Sequence, residues 1–124
     1  MSKPQFTCTV SVRPLPEQSQ PEAGMHAFAY TVTISNTGDV AGQLIGRHWI
    51  ITDANGQVEE VRGLGVVGHQ PLLKPGQQFE YTSGTRLATP SGTMQGTYFC
   101  MTEEARAFQA PIGEFVLTLA SALH

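Results

Sequence analysis

Residues Phe28-Ala29-Tyr30-Thr31-Val32-Thr33-Ile34 place a large apolar side chain at every second position, with small or hydroxylated ones between. Side chains of an extended chain alternate between two faces. The spacing therefore sets Phe28, Tyr30, Val32 and Ile34 on one face of a half-buried strand and Ala29, Thr31 and Thr33 on the other. The same period of two appears earlier, where Phe6, Cys8, Val10 and Val12 alternate with Thr7, Thr9, Ser11 and Arg13. Between the two stretches, Pro14, Pro16 and Pro21 break regular structure, and the polar run to Gly24 reads as a loop.

Towards the C-terminus the pattern repeats. Ser35-Asn36-Thr37-Gly38-Asp39 is a turn, and residues 40–52 hold a third strand with the sole tryptophan, Trp49, beside Ile50 and Ile51. Asp53-Ala54-Asn55-Gly56 closes a hairpin, because Asn-Gly accepts the positive φ of a tight turn. Residues 57–62 return as a strand, and 63–76 form a long loop marked by glycine and proline. Further strands are expected over 77–83, with Phe79 and Tyr81 on one face, over 93–101, and over 114–120, with Phe115, Leu117 and Leu119 inward. Residues 87–92 read as a loop and 102–106 as a helical turn. Seven strands without helical periodicity predict an all-β fold in one domain, residues 1–124. The expected architecture is an immunoglobulin/fibronectin type III-like β-sandwich of about seven antiparallel strands in two sheets. A closed barrel is the alternative arrangement of the same strands.

Composition narrows the function. The 124 residues include 13 Gly and 8 Pro, a load of turn formers that argues against a helical bundle. Charged residues are 14% of the chain, against about 25% in an average soluble domain. Ten carboxylates against seven Lys and Arg give a net charge of −3, so the basic footprint of a general nucleic-acid binder is missing. No apolar run approaches the ~18 residues of a membrane helix, and the first residues lack a signal-peptide pattern; a soluble, cytoplasmic protein without membrane insertion is expected. In a reducing compartment Cys8 and Cys100 read as free thiols rather than an inter-sheet disulfide, and no second ligand pair gives zinc spacing.

The sharpest chemical motif is Gly63-Leu64-Gly65-Val66-Val67-Gly68, which fits G-x-G-x-x-G. In dinucleotide-binding units the motif works through the helix that follows it. Here His69-Gln70-Pro71-Leu72-Leu73-Lys74-Pro75-Gly76 follows, and its two prolines forbid that helix. Two readings remain: a glycine-rich turn between strands, or a concave nest of amides that takes an anion, with Arg62, Gly63, Gly65, Gly68, His69 and Lys74 as its candidate residues. His26, His48, His69 and His124 each stand alone, so no transition-metal site is indicated. Glu59 and Glu60 fall on opposite faces of a strand and cannot share an ion; Glu103 and Glu104 on a loop read as solvated acids. Neither thiol has an activating neighbour, and Ser83-Gly84 and Ser91-Gly92 are turn pairs, not a nucleophile elbow. The expectation is a protein that is not an enzyme and carries no cofactor.

One block is more specific than the glycine motif. Residues 63–76, then Phe79-Glu80-Tyr81-Thr82-Ser83-Gly84 and Leu87-Ala88-Thr89-Pro90-Ser91-Gly92-Thr93-Met94-Gln95-Gly96-Thr97-Tyr98, together with Arg47-His48-Trp49, closely resemble the bacterial ApaG family. The resemblance covers essentially the whole chain. It implies a fibronectin type III-like sandwich, an intracellular bacterial protein, and a gene context beside a dinucleoside tetraphosphate hydrolase. It also implies a link to cobalt resistance and magnesium efflux, and kinship with interaction modules in eukaryotic F-box and polymerase-interacting proteins. It supplies no catalytic residue. Three functions compete: a module that binds a protein partner, a sensor of a phosphate-containing small molecule at the Gly63–Gly68 loop, and a regulatory role in divalent-cation handling.

Overall fold

The computed structural model describes residues 2–119. Eight strands make up the domain: β1 (Phe6–Pro14), β2 (His26–Asn36), β3 (Gly42–Asp53), β4 (Val58–Leu64), β5 (Leu72–Leu73), β6 (Gln78–Leu87), β7 (Ser91–Thr102) and β8 (Ala107–Thr118). They form two antiparallel sheets, β1-β2-β6 and β4-β3-β7-β8, with β5 pairing the first residues of β3. This is a sandwich and not a closed barrel. The alternating apolar faces read from the sequence meet between the sheets, where Phe28, Val32, Ile34, Leu44, Trp49 and Tyr98 are almost wholly buried. A hydrogen bond between the hydroxyls of Tyr81 and Tyr98 ties β6 of one sheet to β7 of the other.

Several boundaries differ from the sequence reading. Gly63 and Leu64 belong to β4 rather than to the loop, and Leu72–Leu73 inside that loop adds an eighth strand. β6 runs on to Leu87. β8 starts at Ala107, well before residue 114, and carries Pro111 in its interior. A proline is tolerated there because β8 is an edge strand, so the missing N–H breaks no ladder on its outer side. Of its three expected inward residues, Leu117 is buried and Phe115 half-buried, but Leu119 is exposed; the expected end of the strand at Ala120 lies outside the described residues. Residues 102–106 form a reverse turn with Ala105 at φ +62°, not a helical turn. Pro16 and Pro21 each open a single 3₁₀ turn, as a fixed φ and a missing donor allow.

The two long flanks of the sandwich are unlike. On one, β1 packs against β8, with Phe6 and Phe108 edge to face at 5.2 Å. The other lies between β4 and β6 and is open as a cleft.

Both cysteines are free, Cys100 buried and Cys8 half-buried. Burial pushes each thiol up to about 12. Iodoacetamide at pH 8 is therefore expected to label neither thiol in the folded protein and both in urea. A thiol whose folded value is raised stabilises the fold fully below its ordinary value near 9 and loses that contribution as pH climbs towards 12. The urea midpoint should hold to about pH 8 and fall above it; a midpoint that rises over that window contradicts the assignment.

Candidate functional site

The glycine motif is a tight hairpin. Val66 and His69 exchange both backbone hydrogen bonds, at 2.8 and 2.9 Å, around Val67 (φ +42°) and Gly68 (φ +84°). The Gly65 amide donates to the Ile45 carbonyl at 2.8 Å. The amides of Gly65, Val66 and His69 are thus spent on backbone carbonyls, which removes donors that an anion nest would need. Gly65 sits at φ +66°, and a Cβ there would lie 2.5 Å from the His69 carbonyl oxygen, so the turn itself requires glycine.

The other candidates go to different places. Arg62 pairs with Glu60 at 3.4 Å on the outer face of the larger sheet, and Glu60 also meets His48 Nε2 at 2.7 Å. The hydrogen bond from His48 is the main cause that holds the Glu60 carboxyl below its usual range. The His69 ring packs on Phe79 of β6, centroids 5.6 Å apart, so the hairpin reaches across to the smaller sheet. Lys74 lies in the turn between β5 and β6, where its amide donates to Gln77 Oε1 at 2.8 Å. Gly63 has another purpose: an added Cβ would come within 2.9 Å of the Arg47 guanidinium, which therefore lies directly on the Gly63 backbone.

That arginine belongs to none of the sequence motifs with a chemical reading. Arg47 stands two positions before buried Trp49 on β3 and shares its inward face, opposite Tyr98 on β7. Its Nη1 donates to the carbonyls of Leu64 and Gly65, both at 3.0 Å. Its charge also counters part of the rise that burial imposes on the phenols of Tyr30 and Tyr81. Arg47 and Trp49 both line the cleft on the open flank, a space of about 570 Å³. The signal was available, since period two counted back from Trp49 points Arg47 inward.

A second feature lies on the outer face. β3 is bulged at Ile45, and Gly46 pairs with Leu64 on one side and Phe99 on the other. The missing side chain at Gly46 leaves a groove between exposed Leu64 and Phe99, and a second depression beside Phe99 extends to Met101. His26 is buried, with Nδ1 lacking a hydrogen-bond partner. Among the described residues no three His, Cys, Asp or Glu gather at a metal-binding distance, and no helix is long and apolar enough to cross a membrane.

Two antiparallel sheets, one hydrophobic core between them and open loops at the ends define an immunoglobulin-like β-sandwich domain. A family model described as the ApaG domain matches residues 16–102. The chain is 57% identical to Protein ApaG of Ralstonia nicotianae over 124 residues, the whole of both chains. It is 61% identical to Protein ApaG of an Acidovorax species over 119 residues, covering 94% of this chain and 87% of that one. A crystal structure of a Bordetella pertussis protein matches it with a TM-score of 0.92 and 55% identity over 96% of this chain and 97% of the other. The chain belongs to the ApaG family.

Proposed function

We propose that this chain is a non-catalytic binding module of the cytoplasm that holds a protein partner against the outer face of its larger sheet. The observation that carries this reading is the apolar surface around Gly46: Leu64 is 76% exposed, and Phe99 and Met101 flank two adjoining depressions. Contiguous exposed apolar area rimmed by polar residues is costly on a lone domain and marks interaction surfaces. Aromatic and methionine side chains are the types enriched in interface cores. The rim is polar here, with Gln43 and Gln109 nearby and the His48–Glu60–Arg62 cluster further along the same face. The two unpaired cysteines support a reducing compartment. Any part in cobalt or magnesium homeostasis then runs through the partner.

Affinity capture from the source cytosol tests this reading with the wild type and a Leu64→Asp/Phe99→Asp double variant. Both side chains point to solvent, so the variant is expected to fold with an unchanged urea midpoint. The partner recovered by the wild type should drop at least tenfold with the variant. Equal recovery by both proteins, or no reproducible partner with the wild type, overturns the proposal.

A further inference from the structure

The cleft between β4 and β6 has no part in that reading and has the makings of a small-molecule site. Exposed Glu59 and Arg86 stand at its mouth, and buried Phe28, Trp49 and Met94 form its floor. Its volume of about 570 Å³ falls within the ~300–1,000 Å³ of typical ligand pockets, and its lining joins an apolar floor to polar and charged walls.

Two donors in this cleft lack acceptors. The first belongs to Arg47. Nη1 holds the Leu64 and Gly65 carbonyls, while no hydrogen bond or ion pair among the described residues engages Nε or Nη2. Those two nitrogens form one straight edge of the guanidinium, with parallel N–H bonds that match the two oxygens of a carboxylate. The second is the indole N–H of Trp49, a residue only 2% exposed, whose Nε1 has no hydrogen-bond partner. Its Cε3 and Cζ3 atoms lie over Gly96 of β7, within 3.0 Å of where a Cβ would stand. The Nε1 edge is on the opposite side of the ring, away from Gly96. The free edge of Arg47 offers an anion two aligned donors, and the buried orphan N–H of Trp49 costs stability in the free protein that an acceptor would relieve.

We propose that the cleft binds a small organic monocarboxylate, its carboxylate on the Nε–Nη2 edge of Arg47 and within reach of the Trp49 N–H, its apolar body on the Phe28–Met94 floor. The charge of the cleft selects the class. Arg47 and Arg86 against Glu59 leave one net positive charge, which a monoanion neutralises and a phosphate dianion overcompensates.

Trp49 is the sole tryptophan, so its indole N–H gives one resolved reporter in an amide NMR spectrum of the full chain. The probes are 3-phenylpropionate, 4-methylpentanoate, the neutral isostere 3-phenylpropanol, and phenyl phosphate. Both carboxylates are expected to shift that resonance saturably at millimolar concentration, with the alcohol and phenyl phosphate at least tenfold weaker. Arg47→Lys keeps the charge but loses the two-donor edge, and should weaken the carboxylates at least tenfold. Val61→Phe narrows the cleft from edge strand β4 and should do the same with Arg47 intact; it decides the matter should Arg47→Lys not fold. No saturable shift with either carboxylate, an alcohol or phosphate that binds as tightly, or unchanged affinity in the folded variants overturns the proposal.

Discussion

Trp49→Ala is expected to lower the unfolding free energy by about 3–5 kcal/mol, the range for deleting a large buried aromatic side chain. Domains of this size have a total of roughly 5–15 kcal/mol, so the loss takes a large share of it. Trp49 is the largest fully buried side chain, and its ring meets Tyr30 at 5.5 Å, Tyr98 at 6.0 Å and Phe115 at 6.1 Å, all edge to face. Those partners sit on β2, β7 and β8, so one side chain links both sheets. The space it leaves cannot close easily, because Gly96 beneath the ring has no side chain to move in. Urea unfolding followed by far-ultraviolet circular dichroism measures the effect, and Trp49→Phe should recover part of it. A midpoint for Trp49→Ala within error of the wild type would show that the ring is not what holds the sheets together.

Asn36→Asp is the second large effect. Asn36 is 3% exposed at the end of β2. Its Nδ2 donates to the Val40 carbonyl at 2.9 Å and the Leu73 carbonyl at 2.8 Å, and its Oδ1 accepts from the Gly38 amide at 2.9 Å. One amide thus fixes the turn after β2 and anchors β5 to it. Aspartate turns the donor into an acceptor and sets a buried charge against two carbonyl oxygens. A group left so costs about 1–3 kcal/mol, and more when charged. The expected loss at pH 7 is about 3 kcal/mol or more, shrinking as pH falls and the carboxyl takes up a proton that can be donated to one carbonyl. Asn36→Ala, which only deletes, should cost less than Asn36→Asp at pH 7. The reverse order would refute this account of the turn.

Asn36 also marks where sequence reading stops. The stretch Ser35-Asn36-Thr37-Gly38-Asp39 announced a turn, yet Ser35 and Asn36 still belong to β2 and the chain bends only after them; a turn residue is ordinarily solvated, and nothing local says that Leu73 closes over Asn36. Period two was enough for β1, β2 and most of β3, because large apolar side chains fill one face of each, although β2 is buried on both faces from His26 to Tyr30. It failed for Leu72–Leu73, since a two-residue strand has no period, and for the front half of β8, where Pro111 and Gly113 look like breakers unless the strand is known to lie at an edge. The candidate site failed for a related reason. G-x-G-x-x-G is a statement about backbone, and where its amides point depends on the hairpin that Val66 and His69 close. The cleft, by contrast, is made by two strands that meet only in three dimensions, and only the inward parity of Arg47 hinted at it.

The closed flank carries a consequence for how the protein comes into being. β1 and β8, the first and last strands in the chain, cover the same side of the core. While a ribosome is still extending the chain, β1 and β2 can already zip into a hairpin, yet Phe6 has no Phe108 to meet. Such long-range closure is slow relative to local pairing. Until β8 has been synthesised, the nascent chain holds a half-covered apolar face in a crowded cell, and it is the period in which a chaperone has most to offer.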